Sequence, residues 1–228
     1  MKVVWSPDNA SKAYIDTVKS CKLNQESGVA ELISAMAAGW NSKLIVETWS
    51  NGNFTPRSIG LAIAARHTDG RHVCIVPDEH SRNDYLHAMS SSTTGITSPE
   101  ILIGEPEEIM SELDGVDFLV VDSRRRNFCR FLRLARLSSR GAVLVCKNAE
   151  AKTTSCAFNW RGVLDGGKYR VIRTAFLPVG PGLDIAHVAP SCVLGSTAGI
   201  NSVKSSNKRR WIRHVDRISG EEHVIRTY

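Results

Sequence analysis

The sequence predicts an α/β fold: a doubly wound, mostly parallel sheet with an antiparallel final strand pair, two cap helices ahead of it and a polar hairpin behind it. Three observations predict it. From Lys43 to Cys146, short apolar runs alternate with segments of helical spacing, the pattern of parallel strands joined by crossover helices. In the middle of that alternation, Gly115-Val116-Asp117-Phe118-Leu119-Val120-Val121 is a turn followed by a β-branched run closed by Asp122, as expected of a strand buried on both faces. After it, two strand-like runs, Tyr169–Leu177 and Leu183–Val188, are separated only by Pro178-Val179-Gly180-Pro181-Gly182, too short for a parallel crossover.

The elements follow in order. Ser6-Pro7-Asp8 is a helix start, and Ala10, Ala13, Tyr14, Val18 and Cys21 recur behind it at helical spacing. A second helix spans about Glu26 to Trp40, with Val29, Leu32, Ile33, Met36, Ala37 and Trp40 on one face and Gly39 and Asn41 ending it. Strand 43–47 leads through Ser50-Asn51-Gly52-Asn53 to a helix from Pro56. Asp69-Gly70 turns into strand 72–76, Asp78 to Met89 reads as helix, and Ser90 to Ser98 as a Ser/Thr-rich loop. Strand 100–103, helix 106–113, the central strand, helix 125–138 and strand 142–146 complete the alternation. Arg210–Arg217 and His223–Thr227 flank Ser219-Gly220 as a hairpin.

Several strands stop at a polar residue: Glu47, Asp122, Lys147-Asn148, and Glu105 just beyond strand 100–103. In an open parallel sheet these tips share the carboxyl edge, where ligands bind. The chain of 228 residues, 42% hydrophobic and 23% charged, is long enough for a substantial core and ordinary for a globular protein. No apolar run reaches bilayer length, and Met1-Lys2-Val3-Val4-Trp5-Ser6-Pro7 has neither an h-region nor a cleavage site. Cytoplasmic residence is expected, with the nucleus open to a chain of this size, and no membrane partner. Cys21, Cys74, Cys129, Cys146, Cys156 and Cys192 lack metal-ligand spacing and read as reduced thiols. The net charge of +6 favours anionic partners.

Two basic features carry that charge. Arg126, Arg130, Arg133, Arg136 and Arg140 recur every three or four residues, so helix 125–138 is expected to carry them on one face, with Phe128, Phe131, Leu132 and Ala135 opposite. Such a face is either a solvated exterior or a stripe for nucleic acid. Lys208-Arg209-Arg210-Trp211 is a second, short cluster. His187 reads as a packed strand residue, and His67, His72 and His80 flank the second strand without ligand spacing.

Three stretches together resemble the small cation-dependent O-methyltransferases of the caffeoyl-CoA and catechol type. Val120-Val121-Asp122-Ser123-Arg124-Arg125-Arg126-Asn127-Phe128 is similar to that family's strand-four signature, and Gly141–Asn148 to its strand-five signature ending in Asp-Asn. Leu177-Pro178-Val179-Gly180-Pro181-Gly182-Leu183 is similar to its final turn. The whole chain resembles more closely an uncharacterised plant family, a domain of unknown function, through Trp5-Ser6-Pro7 and the run Ser27–Trp40. These resemblances imply a Rossmann-like methyltransferase fold divided into cap helices (1–41), a methyltransferase-like domain (42–190) and a basic linker with C-terminal hairpin (191–228). They imply S-adenosylmethionine as cofactor, with Glu47, Gly52, Asp78, Glu105 and Asp122 around it, and Asp122, Lys147 and Asn148 facing a small-molecule acceptor.

The chain departs from the pattern at three points. Trp49 stands where the first glycine of the cofactor loop belongs, and an indole there fills cofactor space unless it swings outward. Asp78 comes slightly late for the acid that binds the ribose hydroxyls, and it can instead cap the helix that follows. Lys147 replaces the middle metal ligand, so no metal is expected. Lys147 is then either the ion-pair partner of Asp122 or a metal-free general base. Three functions stay open: a divergent S-adenosylmethionine-dependent O-methyltransferase, a pseudoenzyme that binds a protein partner, and a basic module that docks on nucleic acid.

Overall fold

The computed structural model describes residues 5–21, 28–49, 56–92, 98–125, 127–149, 159–164, 167–191, 211–215 and 222–226. The chain divides into two compact units, 1–192 and 193–228.

In the first unit, helix α1 (Pro7–Ser20) starts as its sequence dictates: Asn9 N–H donates to the Ser6 hydroxyl, and Pro7, which has no N–H to leave unpaired, fills the first turn. Helix α2 (Val29–Gly39) follows, then strand β1 (Leu44–Thr48), helix α3 (Pro56–Thr68), β2 (Arg71–Val76), α4 (Glu79–Ser92), β3 (Glu100–Ile103) and α5 (Pro106–Glu112). Strands β4 (Asp114–Val116) and β5 (Phe118–Asp122), helix α6 (Phe128–Leu134), β6 (Arg136–Leu137), β7 (Ala142–Lys147), α7 (Trp160–Leu164), β8 (Tyr169–Leu177) and β9 (Leu183–Pro190) complete the unit.

Seven strands form one sheet in the order β3-β2-β1-β5-β7-β9-β8. The first five are parallel, and β9 runs antiparallel to both β7 and β8. Strand alternation divides the core into two layers. Ile45, Cys74, Phe118, Val120, Val143 and Val145 face α1 to α4, whereas Val46, Val73, Leu119, Val121 and Leu144 face α5 to α7. The cap helices belong to the first layer. Helices α2 and α3 approach so closely that a Cβ on Gly60 would lie 2.7 Å from the Ala30 carbonyl oxygen, so only glycine fits there.

The arginine face differs from the expectation. Helix α6 ends at Leu134, and Arg136-Leu137 leaves it to pair in parallel with β4. Arg130 and Arg133 therefore lie on the helix, Arg136 on a strand bonded to Asp114, and Arg140 in a turn bonded to Asp117. Arg126 lies outside the described residues. Pairing with a buried acid accounts for the change: ending the helix early lets the half-exposed Arg140 reach the buried carboxylate of Asp117, which has no other cation within ion-pairing distance among the described residues. The expected apolar face holds, with Phe128, Phe131, Leu132 and Ala135 all buried. Helix α4 also runs on through Ser92, beyond the expected loop start at Ser90.

In the second unit, β10 (Trp211–Val215) and β11 (Glu222–Arg226) form an antiparallel pair, with Trp211 opposite Arg226 and Val215 opposite Glu222.

Candidate functional site

Parallel pairing brings the tips of β1, β5 and β7 together, with Asp122 beside Lys147 in register. Strand parity turns Glu47, Asp122 and Lys147 onto the face covered by α1 to α4. The first polar group sits at the ends of β5 and β7. Lys147 Nζ lies 3.5 Å from Asp122 Oδ2, while Asn148 Nδ2 and the Arg124 N–H both donate to Oδ1 at 2.9 Å. Asn148 adopts φ +59, which asparagine tolerates, and its carbonyl accepts from the Ser123 hydroxyl. Burial pushes the Asp122 carboxyl up, but Lys147, the Arg124 N–H and Asn148 outweigh it and hold the group below its usual range. Burial and the neighbouring Arg57 push the Lys147 ammonium down, against Asp122 and Glu47.

The second group surrounds Glu47, which is 5% exposed. Its Oε1 lies 3.1 Å from His72 Nε2 and accepts from the Tyr85 hydroxyl at 3.0 Å. Burial raises the Glu47 carboxyl, but the His72 hydrogen bond and charge, with Ser58 and Lys147, bring it below its ordinary value. Burial pushes the Tyr85 hydroxyl well up, with the Glu47 charge adding to it. Trp49 is turned inward: 5% exposed, it meets Tyr85 edge to face at a centroid distance of 5.9 Å. At the tip of β1 the buried Thr48 hydroxyl has no hydrogen-bond partner among the described residues, and by strand parity it faces the layer opposite to Glu47.

The expected site residues are thus brought together in part. Asp122, Lys147 and Asn148 form one bonded group, and Glu47 lies close enough to Lys147 to act on its charge. Asp78 accepts from the Ser81 N–H at 2.7 Å and caps α4, the local use of an acid at that position. Glu105 is exposed at the start of α5 and, with Glu107, Arg125, Asn127 and Phe131, lines a crevice of about 150 Å³. Gly52 lies outside the described residues. The final turn reaches the same edge, where the Ala149 N–H donates to the Gly182 carbonyl.

His72, Tyr85, Ser58 and Arg57 were not read from the sequence as site residues. His72 had a usable signal, because it shares strand parity with Cys74, one strand from Glu47. Arg57 had another, as a cation within a helix whose first turns are otherwise apolar or small. Tyr85 had none, since an aromatic at helical spacing reads as core.

These residues do not fit the divalent cation that the resemblance brings to mind. Asp122 and Asn148 supply hard oxygen donors, but Lys147 is a cation itself and ligates nothing. Among the described residues no group of three His, Cys, Asp or Glu side chains is arranged to hold a metal ion. No described helix is long and apolar enough to cross a membrane.

Comparison with solved structures identifies the fold. A methyltransferase from Geobacter sulfurreducens superposes with a TM-score of 0.56 at 19% identity, over 79% of this chain and 88% of that one. A Podospora anserina methyltransferase solved with SAH bound gives 0.55 at 15% identity, over 82% and 89%. The Streptomyces achromogenes O-methyltransferase TomG, involved in tomaymycin synthesis and solved in complex with SAM, gives 0.53 at 18%, over 82% and 92%. The chain therefore has the Rossmann-like methyltransferase fold. No curated protein matches it in sequence. Residues 1–227 match the profile of DUF1442, a protein family of unknown function, and over that full span the chain belongs to this family.

Proposed function

We propose that this chain is a metal-independent, S-adenosylmethionine-binding relative of the O-methyltransferases, in which the Lys147 ammonium occupies the place of the catalytic cation. One observation carries the reading: the ion pair of Lys147 with Asp122 at the strand tips, braced by Asn148. When bound, the cofactor supplies the methyl group. The chain's own residues do the rest. Asp122 and Asn148 shape the acceptor side, and Lys147 holds positive charge where an acceptor hydroxyl would develop negative charge. The acceptor is a small molecule with an ionisable hydroxyl. That two proteins of this fold were solved with SAH or SAM bound supports the cofactor assignment.

A second reading is a pseudoenzyme that works by binding a protein partner. It is favoured by a different observation, the engagement of Glu47 by His72 and Tyr85 together with the packing of Trp49 where the cofactor loop begins. Calorimetric titration with S-adenosylmethionine and S-adenosylhomocysteine, with and without magnesium, separates the two. Micromolar binding independent of magnesium is expected. Absence of binding under every condition overturns the cofactor reading and leaves the pseudoenzyme.

A further inference from the structure

At the opposite edge of the sheet, a groove of about 640 Å³ runs between α6, β6, α7 and the start of β8. Its position follows from the topology. Strand β8 runs antiparallel to β9 and so in the direction of the parallel strands, which puts Tyr169 at their amino ends. Strand β6 pairs with β4, just before the amino end of β5. The groove is therefore remote from Asp122 and Lys147 and does not rest on the cofactor reading.

The groove has an apolar floor, formed by the buried Leu132, Ala135 and Leu164, and Leu134 stands 40% exposed beside it. Arg133, Arg136 and Lys168 supply cations along its walls, and no carboxylate lines it among the described residues. Arg136 is paired with Asp114, but Arg133 and Lys168 have no carboxylate in ion-pairing distance among the described residues. The walls are tied down: the Leu137 N–H donates to the Tyr169 hydroxyl at 2.8 Å, that hydroxyl donates to the Leu137 carbonyl, and Arg133 Nε donates to the Val163 carbonyl.

We propose that this groove docks an extended acidic segment of a partner protein, with an apolar side chain on the Leu132–Leu164 floor and carboxylates toward Arg133 and Lys168. Charge complementarity selects an anion. The apolar floor selects a peptide over a nucleic acid, because the one aromatic ring in the lining, Tyr169, is fixed by its hydroxyl to β6 and offers no free stacking platform.

The test is fluorescence anisotropy of the full-length protein with a short labelled peptide of alternating glutamate and leucine. The same peptide with glutamine for glutamate, and a labelled single-stranded oligonucleotide, serve as comparisons. The acidic peptide is expected to bind most tightly. Arg133→Glu and Lys168→Glu, both at solvent-accessible positions, are each expected to weaken it about tenfold, the equivalent of about 1.4 kcal/mol. Lys12→Glu, which makes the same charge change on exposed α1, is expected to leave binding unchanged. Equal binding of the glutamine peptide, tighter binding of the oligonucleotide, or an equal loss with Lys12→Glu would each overturn the proposal.

Discussion

At the scale of single residues, Lys147 is the position on which the proposed chemistry turns. Its ammonium balances Asp122 in a site that is otherwise hard oxygen and amide. Lys147→Asp removes that balance and sets two carboxylates and an amide at one strand edge, a donor set suited to magnesium or calcium. Without metal the two acids repel, and breaking a buried pair costs about 3–5 kcal/mol. The variant is therefore expected to melt lower than the native chain in chelator and to recover with added magnesium, which binds only its folded state. Thermal melts with and without magnesium check this, and a magnesium-insensitive Tm in the variant refutes the inference. Trp49 makes the companion case. Its indole fills core space against Tyr85, so Trp49→Ala is expected to cost about 3–5 kcal/mol by denaturant titration. A loss below about 1 kcal/mol would mean that the ring contributes little to packing. Lys147 and Asp122 were legible because neighbouring parallel strands must align their tips. The bonds of Glu47 were not, because they depend on a register between β1 and β2 and on a helix rotation that no spacing rule supplies.

Elements are tied together here by a few acids as well as by apolar faces. Asp117 interrupts the central strand between β4 and β5, and the interruption has a use: its Oδ2 accepts from the N–H groups of Lys43 and Leu44, and its Oδ1 from Arg140. One carboxylate thus ties the entry of β1 to the turn before β7. Asp117→Ala leaves the Lys43 and Leu44 N–H groups without this acceptor, while the half-exposed Arg140 turns to solvent, and is expected to cost about 1–3 kcal/mol, read as a fall in the denaturant midpoint. Asp117→Asn keeps one acceptor and is expected to cost less. The sequence predicts one helix over 125–138 with the arginines on one face, whereas α6 ends at Leu134. Arg136 and Arg140 pair with Asp114 and Asp117 from a strand and a turn, so the arginine spacing alone does not set where the helix ends. Helix α1 is attached by Asp16, which accepts from Arg66 and lies 2.8 Å from His67 Nε2 on α3. The His67 hydrogen bond first, then the charges of His67, Arg66 and Lys19, hold Asp16 below its usual 3.8 against the opposing effect of burial. Because the folded value is the lower one, this stabilisation is complete above 3.8 and disappears as pH falls through the folded value. The Tm difference between the native chain and Asp16→Asn is accordingly expected to close on acidification below 3.8, in melts across the acid range. A difference independent of pH would show that Asp16 acts by packing alone.

For the molecule as a whole, sheet order and strand direction were the most legible features. The alternation of apolar runs with helical segments requires right-handed crossovers, and the short Pro178–Gly182 connection requires the antiparallel end, so few topologies remain. What the alternation does not encode is which strand-tip residues are already engaged locally, and Asp78 is the case, its carboxylate taken up by the Ser81 N–H as the cap of α4. The same topology bears on the last segment. All seven strands of the main sheet and both core layers lie within residues 1–192, and the β10–β11 pair forms a unit of its own. A domain's cooperativity comes from its shared core. A chain ending at Cys192 is therefore expected to unfold in one transition at a Tm close to that of the full chain, and to keep whatever affinity the full chain has for S-adenosylmethionine. A two-stranded pair alone is marginal in water, so the isolated 193–228 segment is expected to show little cooperative melting. Differential scanning calorimetry of the two pieces and the full chain checks both expectations. A broad or strongly lowered transition in the shortened chain would mean that the final segment supports the sheet directly and that the core layers described for residues 1–192 are not sufficient on their own.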